Sequence, residues 1–164
     1  MLVLVWIASS HPISHLLMIS YIIQWDLTAN EAVRTVENAH SLNVSAITYG
    51  NNSKTVFSGS RDYSVKGWDA ESGINKTSFS CPRNIVTALT IGKSGEHSLY
   101  QGSEDLCVRV WDVRSNSSQP VIVINSFVYF PLSLALHPNE FNLVTGTVLH
   151  LLAFNFYSDD FMTF

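Results

Sequence analysis

Three groups of residues in this 164-residue chain have types and spacing that could carry chemistry, and each fails on its own terms. Gly92-Lys93-Ser94 has the order that ends a phosphate loop, in which backbone N–H groups and a lysine cradle phosphates. That motif needs a glycine five residues before Gly92, where Thr87 stands, and the stretch reads as a hairpin turn. His11 and His15 are four apart, as metal ligands on a helix face would be, but their segment reads as strand and turn. Cys81 and Cys107 form no CxxC or other ligand spacing. They read as small buried hydrophobes in a reducing compartment. No G-x-S-x-G occurs and no carboxylate pair stands out. No catalytic, cofactor or metal residue is therefore expected, and the chain reads as a non-enzyme.

Composition narrows the partners. Charged residues make up 13% of the chain and the net charge is −4. Lys and Arg are scattered, so the basic footprint of a nucleic-acid binder is missing. At the start, Met1 to Ala8 is apolar, Ser9-Ser10-His11-Pro12 interrupts, and Leu16 to Ile23 is apolar again. The first basic residue is Arg34, too late for the n-region of a signal peptide. The His-Pro break denies the roughly twenty uninterrupted apolar residues of a membrane helix. No membrane insertion is expected, and the location reads as cytoplasmic. Four sequons, at Asn43, Asn51, Asn75 and Asn116, leave open a secreted or membrane glycoprotein.

The elements that must position any function come from a repeat. Trp25-Asp26, Trp68-Asp69 and Trp111-Asp112 recur at intervals of 43 residues. The same step carries Gly59-Ser60 onto Gly102-Ser103, Asp62 onto Asp105, and Val65 onto Val108. Between these marks, β-branched and aromatic runs alternate with turn residues. The predicted strands are Val44–Tyr49, Thr55–Ser58, Val65–Trp68 and Ile74–Phe79, then Ile85–Ile91, Ser98–Gln101, Val108–Trp111 and Val121–Ile124. Stepping backwards puts Met1–Trp6 on an innermost strand and Ile22–Trp25 on a third strand. Stepping forwards puts Ser133–Leu136 and Phe141–Thr145 on strands, with Phe154-Asn155 where Trp-Asp should fall.

The runs FSGSRDYSVKGWD and YQGSEDLCVRVWD resemble the end of a WD repeat, four short strands per propeller blade. The resemblance implies an all-β partial WD-repeat propeller of about four blade-like units, two complete and two degenerate. Its repeats cover about 1–36, 37–79, 80–124 and 125–155, with 156–164 unassigned. It also implies a hydrogen-bonded chain of His40, Ser58 (or Ser60), Asp62 and Trp68. An indole N–H is only a donor, so burying it demands an acceptor. In the next unit Asp105 and Trp111 remain, but Arg83 and Gln101 stand near the His and Ser places, so that network must be incomplete or differently satisfied.

Trp111-Asp112-Val113-Arg114 resembles the box of WD proteins that dock on the adaptor of cullin–RING ubiquitin ligases. Asp112 and Arg114 would then bind the adaptor. From Trp25 to Asn139 the chain resembles the WD repeat-containing protein 31 family, on Trp25-Asp26-Leu27, Gly59-Ser60-Arg61-Asp62, Arg83-Asn84-Ile85-Val86-Thr87 and Ser103-Glu104-Asp105. That likeness implies a link to ciliary transport regulation. The expected function is a non-catalytic scaffold for other proteins. WD propellers usually close with about seven blades, so four units imply a piece of a longer ring, or self-association that completes one.

Overall fold

The computed structural model describes residues 3–9, 20–50, 54–80, 83–92, 97–115, 117–125, 127–137, 142–148, 151–155 and 160–163. For 3–9, 151–155 and 160–163 only backbone and strand pairing are described. His11, His15, Cys81, Lys93-Ser94, Asn51, Asn116 and the turn at Pro138-Asn139-Glu140 lie outside the described residues.

Fifteen strands and no helix occur among the described residues, in four antiparallel sheets. The first sheet holds β1 (Val3–Ser9), β2 (Ser20–Asp26) and β3 (Glu31–Val36). The second holds β4 (Val44–Tyr49), β5 (Thr55–Ser60), β6 (Ser64–Asp69) and β7 (Asn75–Ser80). The third holds β8 (Val86–Ile91), β9 (Ser98–Ser103), β10 (Cys107–Asp112) and β11 (Ile122–Ile124). The fourth holds β12 (Ser133–Leu136), β13 (Asn142–Gly146), β14 (Leu151–Asn155) and β15 (Asp160–Thr163). Each is a plain up-and-down meander, the blade of a partial WD-repeat β-propeller.

Two expectations meet a different outcome. The repeat places Met1–Trp6 on an innermost strand, yet β1 pairs directly with β2, with Val3 opposite Asp26. That is the register of β5 on β6, where Thr55 faces Asp69, so β1 occupies the second-strand place. A fixed step of 43 assumes equal connections, and ten residues separate β1 from β2. At the other end, Asp160–Thr163 pairs with β14 as an outer strand, in a tail whose sequence carries no repeat mark.

The cores lie between sheets. Phe57, Val65 and Phe79 of the second sheet meet Val86, Ile91, Leu99 and Trp111 of the third. Ile22 and Ala39 meet Val44, Val56 and Trp68, and Tyr100, Val108, Val110, Ile124 and Phe127 meet Leu143. A sheet with both faces covered cannot alternate apolar with polar, and β5 and β9 are buried almost throughout. Gly59 permits this approach, because a Cβ there would lie 2.3 Å from the Val86 side chain.

Bulges in β4 and β8 add a repeated tie. The register shifts between Val44 and Ala46, and again between Val86 and Ala88. The extra residue carries a hydroxyl, re-aimed as bulges do. Ser45 donates to the Val86 carbonyl at 2.5 Å, and Thr87 donates to the Pro131 carbonyl. Each innermost strand is thereby fastened to the next unit.

Candidate functional site

Two buried polar networks and two sets of turns are the parts of this molecule with organised chemistry. In the second sheet, β5 and β6 run antiparallel and set Ser58 beside Trp68, while the loop after β3 brings His40 in from the side. Ser20 of β2 fixes that loop by donating to the His40 carbonyl at 2.6 Å and accepting from its N–H at 2.8 Å. The Trp68 indole donates to Ser58 Oγ at 2.8 Å, and Ser58 Oγ lies 2.7 Å from His40 Nε2. His40 Nδ1 lies 3.0 Å from Asp62 Oδ2. One assignment satisfies every atom: indole to serine, serine to Nε2, and Nδ1–H to carboxylate. Asp62 also accepts from Ser64 Oγ at 2.6 Å and from the N–H groups of Ser41 and Ser64. Burial raises its carboxyl, but hydrogen bonds from His40 and Ser64 outweigh that and hold it well below the usual range.

Asp–His–Ser in this order is also the order of a nucleophilic triad. Here Ser58 is fully buried and its oxygen already accepts from an indole, so no carbonyl carbon can reach it. Ser60 does not join the chain; it donates to the carbonyl of Asn43 at 2.9 Å.

The third sheet builds a different network at the equivalent place. The Trp111 indole donates to Gln101 Oε1 at 2.7 Å, and the Gln101 amide donates to Asn84 Oδ1. Asn84 also accepts from Arg109 at 3.0 Å, and Arg109 forks onto both oxygens of Asp105. Burial raises the Asp105 carboxyl, and Arg109 beside it pulls it down further than burial lifts it. Asn84 and Arg109 escaped the sequence reading. Asn84 falls one residue past the 43-step image of His40, which is the exposed Arg83, and Arg109 is the image of Lys66, whose amine goes to the Ala39 carbonyl.

At the opposite end of the sheets, each Trp-Asp aspartate caps its own turn. Asp26 accepts from Thr28 and Ala29, Asp69 from Glu71 and Ser72, and Asp112 from Arg114. Arg114 Nε and Nη2 then close onto Asp112 at 3.1 and 2.9 Å. This fork lowers the Asp112 carboxyl to about 2 and raises the guanidinium. Among the described residues no group of His, Cys, Asp or Glu is placed to hold a metal, and no helix is long and apolar enough to cross a membrane.

Comparison with known proteins agrees with this architecture. The family model described as WD domain, G-beta repeat, matches residues 30–69. Periodic tryptophan protein 2 of Arabidopsis thaliana is 35% identical over 78 residues, covering 48% of this chain and 9% of that protein. The Ribosome biogenesis protein WDR12 homolog of Oryza sativa subsp. japonica is 28% identical over 110 residues, 66% of this chain and 25% of that protein. Cilia- and flagella-associated protein 52 of Bos taurus is 24% identical over 113 residues, 68% and 18% respectively. Residues 30–69 thus match a WD repeat, and the chain spans a quarter or less of the length of these relatives.

Proposed function

We propose that this chain is a non-catalytic scaffold that binds other proteins on the face formed by its β5–β6 and β9–β10 turns. One observation carries the reading. Tyr63 and Leu106, at matching turn positions, have φ of 69° and 65°, a region that bulky side chains rarely adopt. Both are exposed, as is the nearby Leu42. A left-handed turn residue is cheapest as glycine or asparagine, so an aromatic and a leucine held outward there fit a surface selected for contact. Arg61 and Glu104, 3.4 Å apart, bridge the two turns.

The test replaces Tyr63 and Leu106 together by Asn, which tolerates the conformation. The double variant is expected to keep or slightly raise its unfolding temperature and to lose the proteins that co-purify with the wild-type chain. An unchanged set of partners overturns the reading.

Three finer readings rest on narrower support. A ciliary role, beside the WD repeat-containing protein 31 family, is supported by Arg83-Asn84-Ile85-Val86-Thr87 and by likeness to a protein named for cilia and flagella. Tagged chain that stays out of cilia in ciliated cells would remove it. A ligase-receptor role asks Arg114 to offer its guanidinium fork to an adaptor; that fork faces Asp112 here, so adaptor capture has to break this pair. A glycoprotein reading would place a sugar on the exposed Asn75, and a glycosidase-sensitive mobility shift would support it.

A further inference from the structure

Between the first and second sheets lies a small cleft, open to solvent on one side, with about 30 Å³ of enclosed space. It sits at the Trp-Asp end of the sheets, away from the turn face described above. Ile22, Val36, Val56 and Trp68 wall it with apolar surface, and Arg34 and Tyr49 bring polar groups to it. Two of those groups lack partners: Arg34 Nε and the Tyr49 hydroxyl are both shielded from water and hydrogen-bonded to nothing. An orphaned buried donor costs about 1–3 kcal/mol, so two on one cleft need a reason.

The charge balance supplies one. Arg34 donates through Nη1 to the Ser72 carbonyl at 3.0 Å and through Nη2 to the Glu71 carbonyl. These are neutral acceptors, and no carboxylate pairs with Arg34 among the described residues. Asp69, also on the cleft, is already engaged by Lys76 and by its own turn. The guanidinium is therefore a half-buried cation whose Nε–H is unused, while both terminal nitrogens are held by carbonyls. Burial pushes the Tyr49 phenol up, so it remains a protonated donor. Gly73 holds the arginine stem in place: its φ is +72°, and a Cβ there would come within 2.9 Å of Arg34 Cδ.

We propose that this cleft receives an acidic side chain of a bound protein segment. Its methylenes would lie against Val36 and Val56. Its carboxylate would accept from Arg34 Nε and one terminal nitrogen, and from the Tyr49 hydroxyl, donors that side-chain movement must first uncover. The bonds to the Ser72 and Glu71 carbonyls are solvent-exposed, so Arg34 can release one to water as it turns toward the incoming anion.

The probe is N-acetyl-glutamate N-methylamide, titrated into isotope-labelled chain while the Arg34 Nε–Hε resonance is followed. The expected result is a saturable shift that the matching glutamine compound does not produce. Arg34→Lys, which keeps the charge and loses the fork, is expected to weaken binding at least tenfold, and Tyr49→Phe several-fold while its unfolding temperature rises with the orphaned hydroxyl removed. Gly73→Ala is expected to displace the arginine stem and weaken binding as well. A linear, unsaturable response, equal response to the glutamine compound, or a folded Tyr49→Phe with wild-type affinity each overturns the proposal. Because Tyr63 and Leu106 lie on the other face, the Asn variants of those residues leave this titration unchanged.

Discussion

The second and third sheets solve one problem with opposite parts. Each buries a tryptophan whose N–H must reach an acceptor, and each links that acceptor to a turn aspartate. In the second sheet a short serine meets a long imidazole, and the imidazole reaches Asp62 directly. In the third, a long glutamine meets a short asparagine, and Arg109 spans what the asparagine cannot. The reach from indole to carboxylate is kept while every intermediate residue type changes. An acceptor for the indole, and not residue identity, is what the blade demands, since the third sheet keeps that acceptor while leaving Asn84 Nδ2 buried without a partner.

The sharpest way to break this comparison is at Arg109. Its guanidinium and Asp105 are both largely buried, with 11% and 23% of their side chains exposed. Arg109→Met leaves Asp105 and Asn84 without their shared donor and is expected to destabilise the chain by about 2–3 kcal/mol. Lys66→Met, at the matching place in the second sheet, removes one bond to a backbone carbonyl and contact over the Trp68 ring, and is expected to cost about 1 kcal/mol. Urea unfolding of the two variants side by side measures the difference. Equal losses would mean that the arginine bridge is dispensable.

Acid sharpens the comparison further. The carboxyls of Asp62 and Asp105 are both held below their ordinary value in the folded chain. A depressed folded value means that their contribution is present above about pH 4, the unfolded value, and declines as pH falls through the folded one. Asp62→Asn is expected to lower stability at pH 7 by about 1–2 kcal/mol. It should also flatten the loss between about pH 4 and pH 2. Stability of this variant that falls as steeply with acid as the wild type would remove Asp62 from the acid limb.

The smallest effect is expected between the two units and not within either. Arg61 is exposed and Glu104 half-buried, so Arg61→Ala should change stability by no more than about 0.5 kcal/mol. A larger loss in thermal unfolding would show that the turn faces are coupled mechanically.

What the sequence made legible follows from which distances the chain keeps constant. Trp25, Trp68 and Trp111 sit at a fixed step because the third strand, its turn and the neighbouring core are all obliged to repeat. His40, Ser58, Asp62 and Trp68 share one hydrogen-bonded chain in the structure, at the places the WD-repeat resemblance implies; the step itself carries only Asp62 and Trp68 onto like residues. Asn84 stood one residue off the step, at the end of a turn whose Arg83 has a φ of 61°, and a one-residue offset redirects which side chain points inward. Arg109 was hidden for another reason: a basic residue at that strand position reads as solvated in both units. The place of β1 is not legible in the repeat because connection length carries no periodic signal. Nothing in Arg34 or Tyr49 marked a cleft, since their meeting depends on two sheets packing together.

The stretch matched as a WD repeat, 30–69, opens on β3 of the first sheet and closes on β6 of the second. The genetic unit and the folding unit are therefore out of phase by one strand. Cuts at both edges of the repeat, near Asn30 and after Asp69, would strip the first sheet of its outer strand and leave the second without β7. A cut between Val36 and Val44 would respect the sheets yet divide a repeat, taking the loop that carries His40 from one side or the other. Inherited boundaries and mechanical boundaries do not coincide in this chain. Any recombination that adds or removes one repeat must splice two half-blades, and the joint is sound only if both halves keep the same strand register.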